Sequence, residues 1–281
     1  MRPQAPKQSR KMSDNVLISV DPRGVATMTM NRPEVHNAFN VEMVSALTEA
    51  LVDLKGRPDV RVLVLTGAGK SFSAGADVNW MRSMAGFTED ENTEDALHLA
   101  DLMSLLNGMP MPTVARVNGH AFGGGVGLVA CCDIVIASHE ARVSLSEVRL
   151  GLVPAVISPY VINAIGERHA RRFFLSGEAM SVKVARRIGL VHEIAKDRKL
   201  DDAVEDQVGM LLRGGPEALR ESKELIFMVA HHGESAHEAL KRGTARLIAQ
   251  LRVSPEGQEG LSAFLEKRRP AWLKSEETPD A

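Results

Sequence analysis

Two rhythms of apolar and polar positions alternate along this chain. The segments Val16–Val20 and Val25–Met30 are short runs of strand-forming residues on either side of Asp21-Pro22-Arg23-Gly24, whose residue types suit a tight turn, so they predict a hairpin. Within Val41–Lys55 the apolar residues Met43, Val44, Leu47, Leu51 and Leu54 recur every three or four positions, which predicts an amphipathic helix. Residues 60–67, VRVLVLTG, are apolar almost without a break and have strand length, the pattern of a strand covered on both faces. The alternation then repeats: a helix over 94–106, a strand over Thr113–Val117, a glycine-opened helix running through Ala130, and a strand over 133–138. Strands separated by helices imply right-handed crossovers and mainly parallel pairing. From Leu200 onward the pattern becomes helical throughout, over Leu200–Leu212, Pro216–Ala230, 235–251 and 255–267. Expected, then, are a disordered tail over 1–13, an α/β core over 14–199 and a C-terminal helical unit over 200–281 with a mobile end.

Composition narrows the class. The chain has 281 residues, 44% of them apolar and 25% charged, as in an ordinary globular protein. A formal net charge of −2 supplies no overall attraction to nucleic acid or to an anionic membrane. The two cysteines, Cys131 and Cys132, are neighbours in an apolar run and read as buried thiols of a reducing compartment. No apolar stretch is long enough for a membrane span, and the basic N-terminus lacks the apolar face of an organelle presequence. The expectation is a cytoplasmic protein with neither membrane nor nucleic acid as partner.

Candidate chemistry is concentrated in three stretches. SFSAGADV, residues 71–78, follows the buried strand, and its small residues leave backbone amides open to a ligand; a tight turn with Asp77 as helix cap explains it equally. The preceding TGAGK lacks the remaining glycine and the Lys-Ser/Thr ending of a phosphate-binding loop. HAFGGGVGLVACCD, residues 120–133, opens a helix with glycines. That exposes unpaired N–H donors at the positive end of the helix dipole, although close helix-to-sheet packing would need the same glycines. Two such loops together point to a pair of amides that can hold an oxyanion. In SLSEVRLGLVPAVISPYV, residues 144–161, Glu147 stands among Leu145, Val148 and Leu150. A carboxyl in an apolar setting has a raised pKa and can exchange protons near neutrality, whereas a solvated one does nothing of the kind. His120 and His192 read as structural histidines, with a place beside an acyl group as the alternative for His120. Trp80, Met81 and Met84 follow the first loop and suit either a pocket wall or the core.

In their order, NRPEVHNAFN, SFSAGADV, VNGHAFGGGVGLVACCD, SEVRLGLVP and GLVHEI resemble the crotonase, or enoyl-CoA hydratase/isomerase, superfamily. The resemblance runs from about residue 16 to residue 272. It implies a spiral of ββα units closed by C-terminal helices, and trimers that commonly pair into hexamers. It further implies that the N–H groups of Ala74 and Gly124 hold the carbonyl oxygen of an acyl-CoA thioester and that Glu147 moves the proton. Val35 and His36, with Gly75, Ala76, Asp77 and Val78, would line the path of the coenzyme. Phe264 and Lys267, in AFLEKRRPAW, would touch coenzyme A, in a neighbouring subunit if not their own. Coenzyme A enters as part of the substrate, with no metal or separate cofactor.

One departure bears on the reaction. Hydratases with two catalytic glutamates carry the first where this chain has Gly127, so Glu147 stands alone, and the vacated space is expected to join the acyl pocket with Trp80, Met84 and His120. The motifs look most like the bacterial branch that hydrates branched, carboxylated enoyl-CoAs such as 3-methylglutaconyl-CoA or carboxygeranoyl-CoA. Arg82 or Arg149 would then meet the second carboxylate. Hydration of an enoyl-CoA is the expectation. Double-bond isomerisation on the same scaffold is one alternative, and a non-catalytic acyl-CoA- or RNA-binding relative, using the basic clusters at 167–172 and 266–269, is another.

Overall fold

A computed structural model describes residues 8–11, 14–84, 86–196, 199–230 and 254–273. Its centre is a seven-stranded sheet in the order β1-β2-β3-β4-β5-β7-β10. The first three strands, β1 (Gln8–Lys11), β2 (Val16–Val20) and β3 (Val25–Met30), pair antiparallel. From β3 outward the pairing is parallel, through β4 (Val62–Gly67), β5 (Thr113–Val117), β7 (Ile134–Ser138) and β10 (Glu193–Ala195). The β2–β3 turn closes as its residue types require: Asp21 accepts the Gly24 N–H at 3.0 Å, and Gly24 takes φ 85°. A second sheet of three short strands, β6 (Ala121–Phe122), β8 (Arg142–Ser144) and β9 (Met180–Ser181), sits beyond the ends of the main one.

Period-two alternation explains why the central strands are apolar throughout. Leu63 and Leu65 of β4 belong to the larger core, packed with helices α1 (Val41–Lys55), α3 (Glu89–Asn107), α4 (Gly124–Cys131) and α5 (Ser158–Ser176). Val62 and Val64 point to the opposite face, where Val114, Ile136, Leu200, Val204 and Val208 bury them under α7 (Leu200–Leu212). The remaining helices are α2 (Val78–Met84), α6 (Val182–Arg187), α8 (Pro216–Ala230) and α9 (Pro255–Leu265).

The expected hairpin, α1, β5, α7 and α8 occur at the bounds read from the pattern. Others shift. α3 begins at Glu89 rather than at 94, because Thr88 and Glu91 form a reciprocal capping box that the apolar periodicity does not register. The tail expected to be disordered contains β1, paired with the outer edge of β2. Edge pairing uses backbone groups, and a polar segment of four residues shows no pattern for it. α5 has no counterpart among the elements expected from the pattern; it is interrupted at Gly166 (φ 74°, ψ 158°), which breaks the periodicity in two. The helix expected over 235–251 lies outside the described residues. No helix among the described residues is long and apolar enough to cross a membrane.

Candidate functional site

The carboxyl ends of β4 and β5 lead into the two small-residue loops, and tertiary pairing brings them together. Ser73 forms a parallel bridge with Ala121, and Phe39 forms one with Ala76. Gly75 takes φ 85° where a Cβ would lie 3.0 Å from the Phe122 carbonyl oxygen, so the loops touch at a position that admits no side chain. Upstream, Asn37 latches the first loop: buried, it donates from Nδ2 to the Ala68 and Ser71 carbonyls at 2.9 Å each. The Ser73 hydroxyl in turn donates to the Asn37 carbonyl at 2.9 Å.

These pairings decide which amides remain open. The Ala74 N–H donates to the His36 carbonyl at 2.9 Å, which corrects the expectation that Ala74 offers a free donor. Phe39 N–H donates to the Gly75 carbonyl, and Asp77 N–H to the Phe39 carbonyl, each at 2.7 Å. A residue flanked by two such parallel-type bonds turns its own N–H and C=O away from the partner. The open amide of this loop is therefore that of Ala76, two residues further on. In the second loop Gly123 takes φ 49° ahead of α4, and Gly124 is the first residue of that helix. Neither the Ala76 N–H nor the Gly124 N–H has an acceptor among the described residues.

Both residues line one cavity of about 560 Å³. Glu147 lines it too, in a 3-10 turn (Glu147–Leu150) that follows β8. The short sheet sets this juxtaposition: β6 pairs with β8 through Phe122 and Ser144, and the Gly123 N–H donates to the Ser144 carbonyl at 3.0 Å. Glu147 Oε1 lies only 3.3 Å from where a Cβ on Gly123 would stand, while Oε2 is buried with no hydrogen-bond partner. Burial pushes the carboxyl above the ordinary glutamate range. Met81, Ala96, Leu99, Phe122 and residues 150–157 complete an otherwise largely apolar wall. Two open amides and a carboxyl with one buried, partnerless oxygen, facing one apolar cavity, can stabilise an oxyanion and transfer a proton beside it.

Comparison with known proteins agrees with this geometry. The family model described as enoyl-CoA hydratase/isomerase matches residues 21–275. The chain belongs to the enoyl-CoA hydratase/isomerase family. A solved structure from Legionella pneumophila is 47% identical, with a TM-score of 0.87 over 92% of this chain and 99% of that one. An enoyl-CoA hydratase from Shewanella pealeana is 42% identical, also with a TM-score of 0.87, over 92% of this chain and 96% of its own. The trans-2-decenoyl-[acyl-carrier-protein] isomerase of Streptococcus mutans is 28% identical over 262 residues, covering 92% of this chain and 97% of the isomerase. The fold is accordingly the crotonase fold, and the family embraces relatives named for both reactions.

Within this family member, several expected site residues have other work. Asp77 caps α2 by accepting the Asn79 N–H at 2.9 Å and pairs with Arg32 at 3.0 Å; these contacts hold its carboxyl below the usual range. Val35 and His36 stand upstream of the first loop, His36 Nδ1 lying 3.0 Å from Ser71 Oγ, and Val78 is exposed at the start of α2. None of the three lines the cavity. His120 also lies outside it: its Nδ1 accepts the Arg142 N–H at 3.2 Å, and its ring stacks on Phe122. His192 Nδ1 likewise accepts a backbone N–H, that of Val135. Trp80 turns toward α3, donating to Asp95 at 3.2 Å, and Met81 takes the place in the cavity wall. Met84 closes α2, and nothing further is described of its side chain.

Gly127 requires the largest correction. Its site is not vacated space, because a Cβ there would lie 2.3 Å from Ile157 Cγ2. Phe264 lies in α9, and nothing further is described of its side chain; Lys267, just beyond that helix, is not among the cavity's described lining residues. The following segment is tied to the amino end of β4, where Arg61 donates to the Trp272 carbonyl. Half of the cations in the basic clusters are ion-paired: Arg171 pairs with Glu167, Arg172 with Glu178, and Arg268 with Glu259 and Glu266. Sequence reasoning missed Asn37, Phe39, Leu99 and Ile157. Each acts on the site through a contact with a distant segment, and only the positive φ of Asn37 (56°) matches a residue type known to tolerate it.

Proposed function

We propose that this chain hydrates the 2,3-double bond of an enoyl-CoA thioester. The observation that carries this reading is the buried, partnerless Oε2 of Glu147 in the same cavity as the open amides of Ala76 and Gly124. The thioester carbonyl accepts both N–H donors, and the amino end of α4 adds to their field. Each donor is worth about 2.7–4 kcal/mol as charge develops on the oxygen. Polarisation leaves C3 electron-poor. Water attacks there while Glu147 takes one of its protons, then returns a proton to C2. The C3–O and C2–H bonds form, the π bond and one water O–H bond are lost, and the carboxylate is regenerated. A single carboxyl thus serves as base and then as acid, which a raised pKa favours.

The acyl group we assign is apolar. Glu147 is the one ionisable side chain among the cavity's described lining residues. Of the two cations expected to meet a second carboxylate, Arg82 donates to Asn79 at 3.1 Å and Arg149 packs beside Gly177. Branching remains part of the proposal; a second carboxylate does not. We further propose that Phe264 and Lys267 contact coenzyme A, in a neighbouring subunit if not their own.

Isomerisation is the second reading, favoured by the lone carboxyl, since one base suffices to move a proton between carbons. Incubating the protein with a panel of linear, branched and carboxylated enoyl-CoAs, with products identified by mass and chromatography, separates the two. Hydration makes a 3-hydroxyacyl-CoA heavier by one water, and isomerisation makes a product of unchanged mass. The expected outcome is hydration, strongest on uncharged acyl groups. Products of unchanged mass alone would transfer the assignment to isomerase.

A further inference from the structure

The cavity wall contributed by residues 150–157 changes steeply in exposure. Leu150, Leu152 and Val153 are 62%, 58% and 71% exposed, whereas Ile157 is 3% exposed. The first three therefore form the mouth, and Ile157 the inner end. Behind Ile157 lies the helix residue Gly127. A Cβ on Gly127 would come 2.3 Å from Ile157 Cγ2, 3.0 Å from Ile157 Cβ and 3.0 Å from Met103 Cε. The space a side chain at 127 would use is thus taken by the branch of Ile157.

This stop is stiff. Ile157 immediately precedes α5, where its carbonyl accepts the Val161 N–H at 3.1 Å, and a β-branched side chain has few rotamers to escape into. The atoms behind it yield little. Gly127 has no side chain to swing, and Met103, fully buried in α3, has its sulfur 3.8 Å from Cys131 Sγ. An acyl chain entering past Glu147 ends against Ile157.

We propose that Ile157, with Gly127 as its complement, sets the length and branching of the acyl group this cavity accepts. The inference rests on the acyl-CoA reading above. Trimming Ile157 lengthens the cavity at its inner end, and Gly127 has no atoms to fill the gap. One methylene in an apolar pocket changes relative kcat/KM by about tenfold or more. Relative to the wild type, Ile157→Ala should shift the ratio of kcat/KM for enoyl-CoAs two or three carbons longer over crotonyl-CoA by at least about tenfold, and Ile157→Val by less in the same direction. Gly127→Ala alone should lower stability, because its Cβ meets Ile157. In the Ile157→Ala background it should refill the space and return the preference toward wild type.

The same variants are titrated calorimetrically with saturated acyl-CoAs of increasing length, which measures fit without turnover. If acyl-CoAs bind but the length preference is unchanged, or affinity falls evenly at all lengths, in both Ile157→Val and Ile157→Ala, the role of Ile157 is refuted and the functional reading stands. Should Ile157→Ala not fold, Ile157→Val decides by the same criterion. If the wild type binds no acyl-CoA, both fall.

Discussion

Glu147 combines properties that a side chain kept only for stability would not have. Its Oε2 is buried and unpartnered, and burial makes the charged form costly. The pH consequences follow in sign. In catalysis the carboxylate must accept a proton, so kcat/KM should fall as pH drops through a pKa above the ordinary glutamate range of about 4.3. For stability, a carboxyl whose folded-state pKa is raised favours the folded state while it stays protonated. That advantage is lost as pH rises from the unfolded value through the folded one. Glu147→Gln should therefore lower turnover by about 100-fold or more while acyl-CoA affinity survives. It should also melt at a higher temperature than wild type at pH 7, the two converging toward about pH 4. Turnover across pH and thermal melts check both halves, and a Gln variant that is active would remove Glu147 from the proton transfer.

At the scale of elements, the start of α4 explains why glycines cluster there. Gly123 needs its positive φ; a Cβ at Gly124 would lie 2.7 Å from the Phe39 ring, and one at Gly125 would lie 2.9 Å from Ser73 Cβ. The packing and open-amide explanations of the run hold together, because the helix can present its first N–H only by lying this close to the preceding loops. Gly124→Ala and Gly124→Pro separate the two. Both add a Cβ against Phe39, and overpacking of this kind costs about 1–3 kcal/mol. Only proline also deletes the N–H, at a helix position that tolerates it sterically. Turnover of Gly124→Pro should fall about 100–1000-fold below that of Gly124→Ala, the scale of losing one oxyanion donor. Equal turnover in the two folded variants would show that the Gly124 amide is not used.

Across the whole molecule, the helical segments after Leu200 complete the core. α7 covers the second face of the sheet, and α8 inserts Lys223, 9% exposed, against Asp133 at 2.8 Å. Asp133 Oδ2 also accepts the Thr113 N–H at 2.8 Å and its hydroxyl at 2.9 Å, so one carboxylate ties α8 to the starts of β5 and β7. Lys223→Met should cost about 1–3 kcal/mol, read as a lower urea midpoint with an unchanged slope. Activity at low temperature should persist, because this cluster stands at the strand ends away from the cavity. A variant as stable as wild type would mean that α8 is held by its apolar contacts alone.

The sequence by itself determined the strand and helix periods, the Asp21–Gly24 turn, the buried character of β4 and the family motifs, since each depends on residues within a turn or two of one another. It marked Glu147 and the two loops as the places of interest. The tertiary structure decided which groups there are open. Ala74 and Ala76 are the same residue type two positions apart, and regular extended backbone would turn their N–H groups to the same side; Gly75 between them, at φ 85°, breaks that regularity. Their roles are set by His36 and Phe39, which engage one amide and turn the other toward the cavity. Likewise Gly127 reads as a gap in the chain and becomes a contact in space, because Ile157, thirty residues later, packs into it. Local patterns report what a segment can form; the free donors and filled volumes of a site depend on which distant segment arrives, and no local period carries that information.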